Sequence, residues 1–519
     1  MILPNLEKNI KCGNSLIDDP EFTDKPFKWK IEFPEIFKEG GFDVVIGNPP
    51  YVRQEKIKEI KTYLENHYEV YTGVADLFVY FFEKGLNLLK KGGIFSYICS
   101  NKFTQTKNDG PLRKFILDHK FLKYIDFTGK NVFADVTTNH AIFVIKNEKI
   151  NNNKLVVNDE FEIPQDRLDE CIWSFKDPKI LDLKDKLDKK GLKLRDMSNL
   201  RIYYGIKTGY DNAFIIDKDT KDLLLNEDYK NKEIIKPVIK GKNLKKYRLN
   251  FKDTYLLFTR RGTNIENYPS IKSYLCQFKE RLTPRNEDQK IGRKPGDYKW
   301  YEIQDTIAYY EEFRREKIIW GNLSIKPNFS YSNTELYINA PANLLVGENI
   351  KYLLTILNSK VTGFIFNLIG VKVDSGYLEW KKNRVEQLPI YPATYDEQKP
   401  FIENADEMLE LNKNFQIEIN SFNDWIMQTF KIEKLSQKLE KYYELSFENF
   451  LNEVKKKKVN VKSRENYQTL KEEFEKSITI INLLLQQIKE TDKEIDQMVY
   501  DLYGLTPEEI KIIEDSLNG

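Results

Sequence analysis

Four short apolar runs in the first 150 residues constrain the fold most: Asp43–Gly47 (DVVIG), Gly93–Cys99 (GIFSYIC), Lys123–Thr128 (KYIDFT) and His140–Ile145 (HAIFVI). Each is continuous or nearly so. Strands read this way when both faces are covered, because alternation is required only where one face meets water. Between the first two lies Asp76–Gly93, whose apolar spacing predicts a helix closed by Gly92 and Gly93. Pro111–His119 (PLRKFILDH) predicts a second helix with proline near its start. Strand, helix, strand, helix, strand implies an α/β fold with a doubly wound sheet.

The texture then changes. Residues 151–195 are polar and read as a linker with a helical bridge. Residues 196–392 carry short β-like runs broken by Gly, Pro and Asn, which predicts a mixed α+β domain. Residues 393–519 are dominated by helical periodicity, and Ile478–Leu505 reads as part of a packed helix pair. The length of 519 residues allows such a division into several domains. A net charge of +2 with 31% charged residues excludes a wholly basic nucleic-acid coat but permits a local basic groove. Four scattered cysteines and three scattered histidines predict neither a metal site nor a disulfide framework, and suit a reducing cytoplasm. No 18-residue apolar run and no signal peptide is visible, so the chain reads as soluble and intracellular.

The first strand runs straight into Asn48-Pro49-Pro50-Tyr51. A strand ending at Gly47 delivers Asn48 to the carboxyl edge of the sheet, where open α/β folds bind ligands. Pro49 pushes Asn48 out of the helical region, Pro50 does the same to Pro49, and both rings fix φ. The corner is stiff before any ligand arrives. The Asn48 amide oxygen and the Pro49 carbonyl are two acceptors in a fixed arrangement, and Tyr51 adds a flat face. Such a set matches a planar base with an exocyclic amine, which presents two N–H donors. Stacking of the base on a ring is worth about 1–3 kcal/mol. Neither Asn nor Pro takes up a proton, so the corner would position and stabilise charge, not act as a base. A plain loop ending a strand is the alternative reading of these four residues.

Together with its strand, this corner resembles motif IV of the amino-methylating DNA methyltransferases, specifically the adenine-N6 group. Asn9–Ile17 (NIKCGNSLI) resembles motif III, Ala75–Gly93 motif V and Gly93–Leu117 motif VI. Tyr124–Ile145 resembles the segment that closes the catalytic sheet. The order is the γ arrangement, with target recognition C-terminal to catalysis, as in Eco57I-like restriction-modification enzymes. The resemblance implies a partial Rossmann-like methyltransferase sheet. It implies S-adenosylmethionine as methyl donor, double-stranded DNA as partner and an adenine flipped from the duplex, with no metal. It also implies that Asn48 and the Pro49 carbonyl hold N6, that Pro50 locks the corner and that Tyr51 stacks on the base. Asn14 stands where many relatives have Asp facing the cofactor. Asp76 would line the cofactor side, and a helix-start acid is its competing reading.

The family's motif I is a glycine-containing strand-turn that cradles the methionine part of the cofactor, well upstream of motif III. No such turn stands before Asn9. Half of the cofactor pocket and at least two strands are therefore expected from an N-terminal polypeptide, or to be absent. A gene fragment, one half of a split enzyme and a DNA-reading protein that no longer methylates are the three explanations. An exposed sheet edge is expected with the first.

In the second half, Arg201–Asp217 sets Lys207 and Thr208 on a turn shaped by Gly205 and Gly209. Ile234–Leu249 carries Lys240 and Lys242 in a basic run, and Arg285–Ile303 carries Arg293 and Lys294 beside Tyr298, Trp300 and Tyr301. Basic residues interleaved with rings suit a DNA groove, and these six residues are the predicted DNA contacts. The stretch Arg201–Pro392 resembles the TaqI-like C-terminal specificity domain. The basic run Val454–Arg464 reads as a solvated loop. Together these features predict a site-specific adenine-N6 DNA methyltransferase of a restriction-modification system, incomplete as this chain. The alternative is a non-enzymatic specificity protein, or the modification and specificity half of a restriction endonuclease acting with a partner.

Overall fold

A computed structural model describes residues 8–128, 139–149, 152–286, 290–373 and 376–518. Residues 129–138, part of the segment predicted to close the catalytic sheet, lie outside the described residues. The chain divides into two compact units, Met1–Asp182 and Leu183–Gly519.

The four apolar runs of the first unit become β1 (Phe42–Gly47), β2 (Leu89–Ser100), β3 (Lys120–Asp126) and β4 (His140–Lys146). Helix α1 (Phe78–Asn87) connects β1 to β2, and α2 (Gly110–Leu117) connects β2 to β3. Two further strands, β5 (Lys154–Val157) and β6 (Phe161–Pro164), complete a six-stranded sheet of order β1-β2-β4-β3-β5-β6. β1 is parallel to β2, and β3 is parallel to β5. β4 runs antiparallel between β2 and β3, and β6 is antiparallel to β5. The sheet is therefore mixed. Phe82 of α1 packs its ring on Phe95 of β2 and Phe143 of β4, with centroids 5.1 and 5.6 Å away.

Two boundaries differ from the sequence reading. The helix before β2 stops at Asn87, and Gly92 and Gly93 lie inside β2. Leu89 is buried and opposite Phe42, so burial claims the segment for the sheet. The stretch 151–195 is not only a linker. Leu155, Val157 and Ile163 face the core from a hairpin of two four-residue strands, short enough to be hidden in the polar stretch around it. Its C-terminal part is a helix, α3 (Pro178–Lys190).

The second unit has two four-stranded sheets. In one, β9 (Ile235–Ile239) and β10 (Tyr255–Leu257) pair at the centre, flanked by β13 (Tyr337–Ile338) and β8 (Ile215–Ile216). In the other, β11 (Lys317–Trp320) and β14 (Asn343–Gly347) lie between β12 (Phe329–Ser332) and β7 (Leu200–Tyr204). A bent pair of buried helices follows, α4 (Ile350–Asn358) and α5 (Lys360–Ile369); Trp380 stacks on Phe366 of α5 at 3.7 Å. The tail is α6 (Tyr395–Thr429), α7 (Phe447–Lys455), α8 (Arg464–Leu502) and α9 (Pro507–Asn518). A Thr394–Glu397 capping box starts α6, and α6 and α8 share a core around Phe422, Phe450 and Phe474. Among the described residues no single helix is long and apolar enough to cross a membrane.

Candidate functional site

β1 ends at Gly47, which lies opposite Tyr97 of β2. A Cβ at this position would sit 3.0 Å from the Tyr97 ring, so glycine admits the close approach that turns the chain outward. Asn48 and Pro50 are exposed, Pro49 is buried and Tyr51 is half-buried. The Tyr51 ring meets His140 and Phe78 edge-on, with centroids 5.4 and 6.5 Å away. Its hydroxyl donates to Asn48 Oδ1 at 3.0 Å and reaches the Ile98 carbonyl at 3.5 Å. Burial, with Cys99 adding to it, pushes that hydroxyl up to about 12, so it carries its proton near neutral pH. Among the described residues nothing donates to the Pro49 carbonyl. The corner thus holds two acceptors, one on exposed Asn48 and one on buried Pro49, beside a ring held from two sides.

Asp76 braces the chain after the corner. Its Oδ1 accepts from the Gln54 amide at 3.0 Å, while the Leu77 amide donates to the Val52 carbonyl at 2.9 Å. The Lys102 ammonium stands 3.9 Å from Asp76 Oδ2. Asn14 is committed to its own turn: Oδ1 accepts from the Leu16 amide at 3.1 Å, and Nδ2 donates to Thr23 Oγ1 at 3.4 Å. One Nδ2 hydrogen and one Oδ1 lone pair of this partly exposed side chain lie outside these bonds.

The sequence reading missed a polar cluster on the same carboxyl edge. Asn101, buried just beyond β2, donates through Nδ2 to Asp126 Oδ1 at 3.2 Å and Thr128 Oγ1 at 3.0 Å. His140 starts β4 opposite Ser100 and is buried against Tyr51. The available signal was positional, since Asn48, Asn101 and Asp126 all stand at strand ends on one edge. Among the described residues no group of three or more His, Cys, Asp or Glu side chains gathers to hold a metal ion.

β1 is an edge strand, and its free side is apolar. Val44 and Ile46 are 53% and 75% exposed. A recess of about 320 Å³ runs beside it, lined by Trp29, Phe42, Val45, Phe81, Leu88 and Tyr97. An unpaired apolar edge of this kind is a template for a further strand.

In the second unit the six predicted DNA contacts separate. Lys207, Lys242 and Lys294 are exposed and Lys240 is partly exposed. Thr208 is buried: its hydroxyl donates to Asp211 Oδ1 at 2.6 Å and accepts from the Tyr210 amide at 3.2 Å. Arg293 is 3% exposed and points inward. Its guanidinium donates to the carbonyls of Leu282 (2.6 Å), Glu302 (2.7 Å), Thr208 (2.9 Å) and Trp300 (3.0 Å). It also lies over the Tyr298 ring at 4.5 Å, and burial pulls its pKa down to about 10. Thr208 and Arg293 are thus not surface contacts. Five fixed donors in one plane make Arg293 suited to gathering loop carbonyls, which the sequence could not distinguish from a phosphate contact. Gly209, at φ +84°, passes directly over this group, where a Cβ would meet Arg293 Cδ at 2.7 Å.

A mixed α/β sheet with a polar corner at its carboxyl edge is followed along the chain by an α+β unit with a helical tail. Residues 2–133 match the Eco57I restriction-modification methylase family, and residues 236–390 match the TaqI-like C-terminal specificity domain. The chain thus carries an Eco57I-like restriction-modification methylase domain and a TaqI-like specificity domain. Residues 394–499 match a domain of unknown function (DUF8810). The chain is 26% identical over 409 residues to the type II methyltransferase M.BstVI of Geobacillus stearothermophilus, covering 70% of this chain and 69% of that protein. It is 25% identical over 460 residues to the type II restriction enzyme and methyltransferase RM.Eco57I of Escherichia coli, covering 77% of this chain and 45% of that protein. Against the type II methyltransferase M.XhoI of Xanthomonas vasicola, 112 residues are 38% identical, 21% of this chain and 20% of that protein. Its relatives are type II restriction-modification methyltransferases. A solved structure of the type IIL restriction-modification enzyme MmeI with DNA aligns over 92% of this chain and 57% of that one, with a TM-score of 0.44 and 12% identity.

Proposed function

We propose that this chain supplies the base-holding corner and the sequence-reading unit of a site-specific DNA adenine-N6 methyltransferase in a restriction-modification system. The observation that carries the reading is the corner itself: an exposed Asn48 amide oxygen and an unengaged Pro49 carbonyl beside the braced Tyr51 ring. Two acceptors fixed by adjacent prolines fit the two N–H groups of an adenine amine. Holding both would localise the nitrogen lone pair and stabilise the positive charge that grows as the amine is alkylated. Tyr51 would stack on the extruded base. The residue division that fits this reading is catalysis in 1–150 extended by the β5–β6 hairpin, a helical bridge up to 195, recognition in 196–392 and a helical tail in 393–519.

S-adenosylmethionine is the donor this reading requires, and it would supply the methyl group. The described residues fit one side of its site, where the corner and Asp76 form a wall and Asn14 keeps one N–H and one lone pair outside its own turn. The free edge of β1 and the apolar recess beside it suit strands from an N-terminal polypeptide that completes the pocket. Double-stranded DNA is the substrate, and a reducing cytoplasm suits the four free cysteines.

The test is to incubate the purified chain, alone and with the polypeptide encoded immediately upstream, with labelled S-adenosylmethionine and duplex DNA. Digestion to nucleosides then identifies the product. N6-methyladenine formed with the upstream polypeptide is the expected result. N4-methylcytosine would overturn the base assignment, and binding without transfer in every combination would favour a specificity protein.

A further inference from the structure

Arg293 gathers three loops of the second unit, and the cations left outside that hub have a pattern of their own. Arg260 lies over the Tyr310 ring at 4.4 Å, Lys279 over Trp300 at 5.4 Å and Arg281 over Tyr210 at 5.8 Å. All three cations are exposed and all three rings are partly exposed. Glu302 and Asp305, two nearby acids, are already engaged. Glu302 accepts from the Gly262 and Lys299 amides at 3.0 and 2.9 Å, and Asp305 Oδ2 accepts from the Lys207 amide at 3.0 Å. Among the described residues no carboxylate pairs with Arg260.

The main chain of Arg260 is fixed by its own turn, as that of Lys279 is by the matching bonds from Thr283. The amide and hydroxyl of Thr263 both donate to the Arg260 carbonyl, at 3.0 and 2.8 Å. The next residue, Arg261, ties the loop to the Ile303 and Gln304 carbonyls, the latter at 2.8 Å. Main chain and guanidinium are thus held in place without consuming the guanidinium's outward donors. An exposed, pre-set and uncompensated arginine fork matches two adjacent acceptors in a plane, as guanine O6 and N7 present in the major groove. A lysine over a ring offers a point charge and suits a phosphate.

We propose that Arg260 reads a guanine of the target site, with Lys279 serving only to grip the backbone. The inference rests on the reading of the second unit as a DNA-recognition unit, and the experiment separates the two. The full chain selects duplexes from a random pool at fixed salt, and affinities are then measured for every single base-pair change in the selected site. Arg260→Ala is expected to lose discrimination at one G·C pair by about tenfold or more while discrimination elsewhere persists. Arg260→Lys, which keeps a charge over Tyr310, is expected not to restore it. Lys279→Ala is expected to weaken all sequences alike and to lower the slope of log affinity against log salt by about one.

If Arg260→Ala melts early, Arg260→Lys alone decides by whether it loses the same position. Unchanged discrimination at every position in a folded variant would overturn the role of Arg260 and leave DNA recognition standing. A wild-type chain that binds duplex without any preference, or not at all, would overturn the recognition reading and this inference with it.

Discussion

The corner after β1 and the turn at Lys207–Tyr210 are both short loops that end a strand region, yet they are stiffened by opposite means. At the corner the stiffness is covalent: two proline rings fix φ, and the side chains are left free to face outward. At the turn the stiffness is borrowed from Arg293, whose charge is buried to hold the carbonyls of Thr208, Leu282, Trp300 and Glu302. Covalent stiffness needs no neighbours and displays its polar atoms. Borrowed stiffness consumes its polar atoms and depends on a single residue.

The comparison breaks most visibly at that residue. Arg293→Ala leaves several buried carbonyls without their shared donor, and each charged hydrogen bond contributes about 1.5–3 kcal/mol in isolation. Because the losses are coupled and some carbonyls would find water, the expected loss is about 3–5 kcal/mol in denaturant unfolding of the full chain. A loss below about 1 kcal/mol would mean that the loops hold themselves. Arg293→Lys should recover little, because a point charge cannot span the carbonyls.

Asn48→Ala tests what the corner displays. In a preparation that transfers methyl, turnover should fall about 10²–10³-fold, the scale of losing one charge-stabilising partner in a transition state. DNA affinity should change less than about twofold, because Asn48 engages only a base already extruded. Equal losses in single-turnover rate and in affinity would remove Asn48 from its proposed role. Pro50→Ala tests the stiffening itself. Pro50 is exposed, so its replacement mainly loosens the unfolded chain and should cost about 0.4–1 kcal/mol, far less than the loss of Arg293.

The same contrast explains what was legible in the sequence. Continuous apolar runs located β1 to β4, although Val44 and Ile46 of β1 remain exposed. The corner was legible because proline acts on its immediate neighbours. The hairpin of β5 and β6 was not, since its two four-residue strands are set in a polar stretch. Arg293 and Thr208 were misjudged for a different reason. A charged or hydroxylated residue beside rings has the same local sequence whether it faces DNA or a carbonyl eleven residues away, as Leu282 is from Arg293. Asn14 and Asp76 were similarly opaque, because the loop amides they accept from are defined only once the chain turns. The cluster of Asn101, Asp126 and His140 depends on strand order, which pairs residues far apart in the chain.

Tyr51→Phe is the smallest and finest test of the corner. The hydroxyl of Tyr51 donates to the same Asn48 oxygen that the proposed role reserves for an adenine amine. Without a base, it satisfies an acceptor that would otherwise be filled by water. An amide oxygen accepts two hydrogen bonds, so an entering amine either shares it with Tyr51 or displaces the hydroxyl from its bond at 3.0 Å toward the Ile98 carbonyl or solvent. Displacement trades one hydrogen bond for another, so its net cost is about 0.5–1.5 kcal/mol at most. Phenylalanine keeps the ring against His140 and Phe78 and removes the competitor. Extrusion of the target adenine, followed by the fluorescence of 2-aminopurine placed at the neighbouring position, should stay within about threefold of wild type or become slightly more favourable. A loss of tenfold or more would show that the hydroxyl itself touches the base, and the Asn48 oxygen would then be shared during catalysis instead of surrendered to the amine.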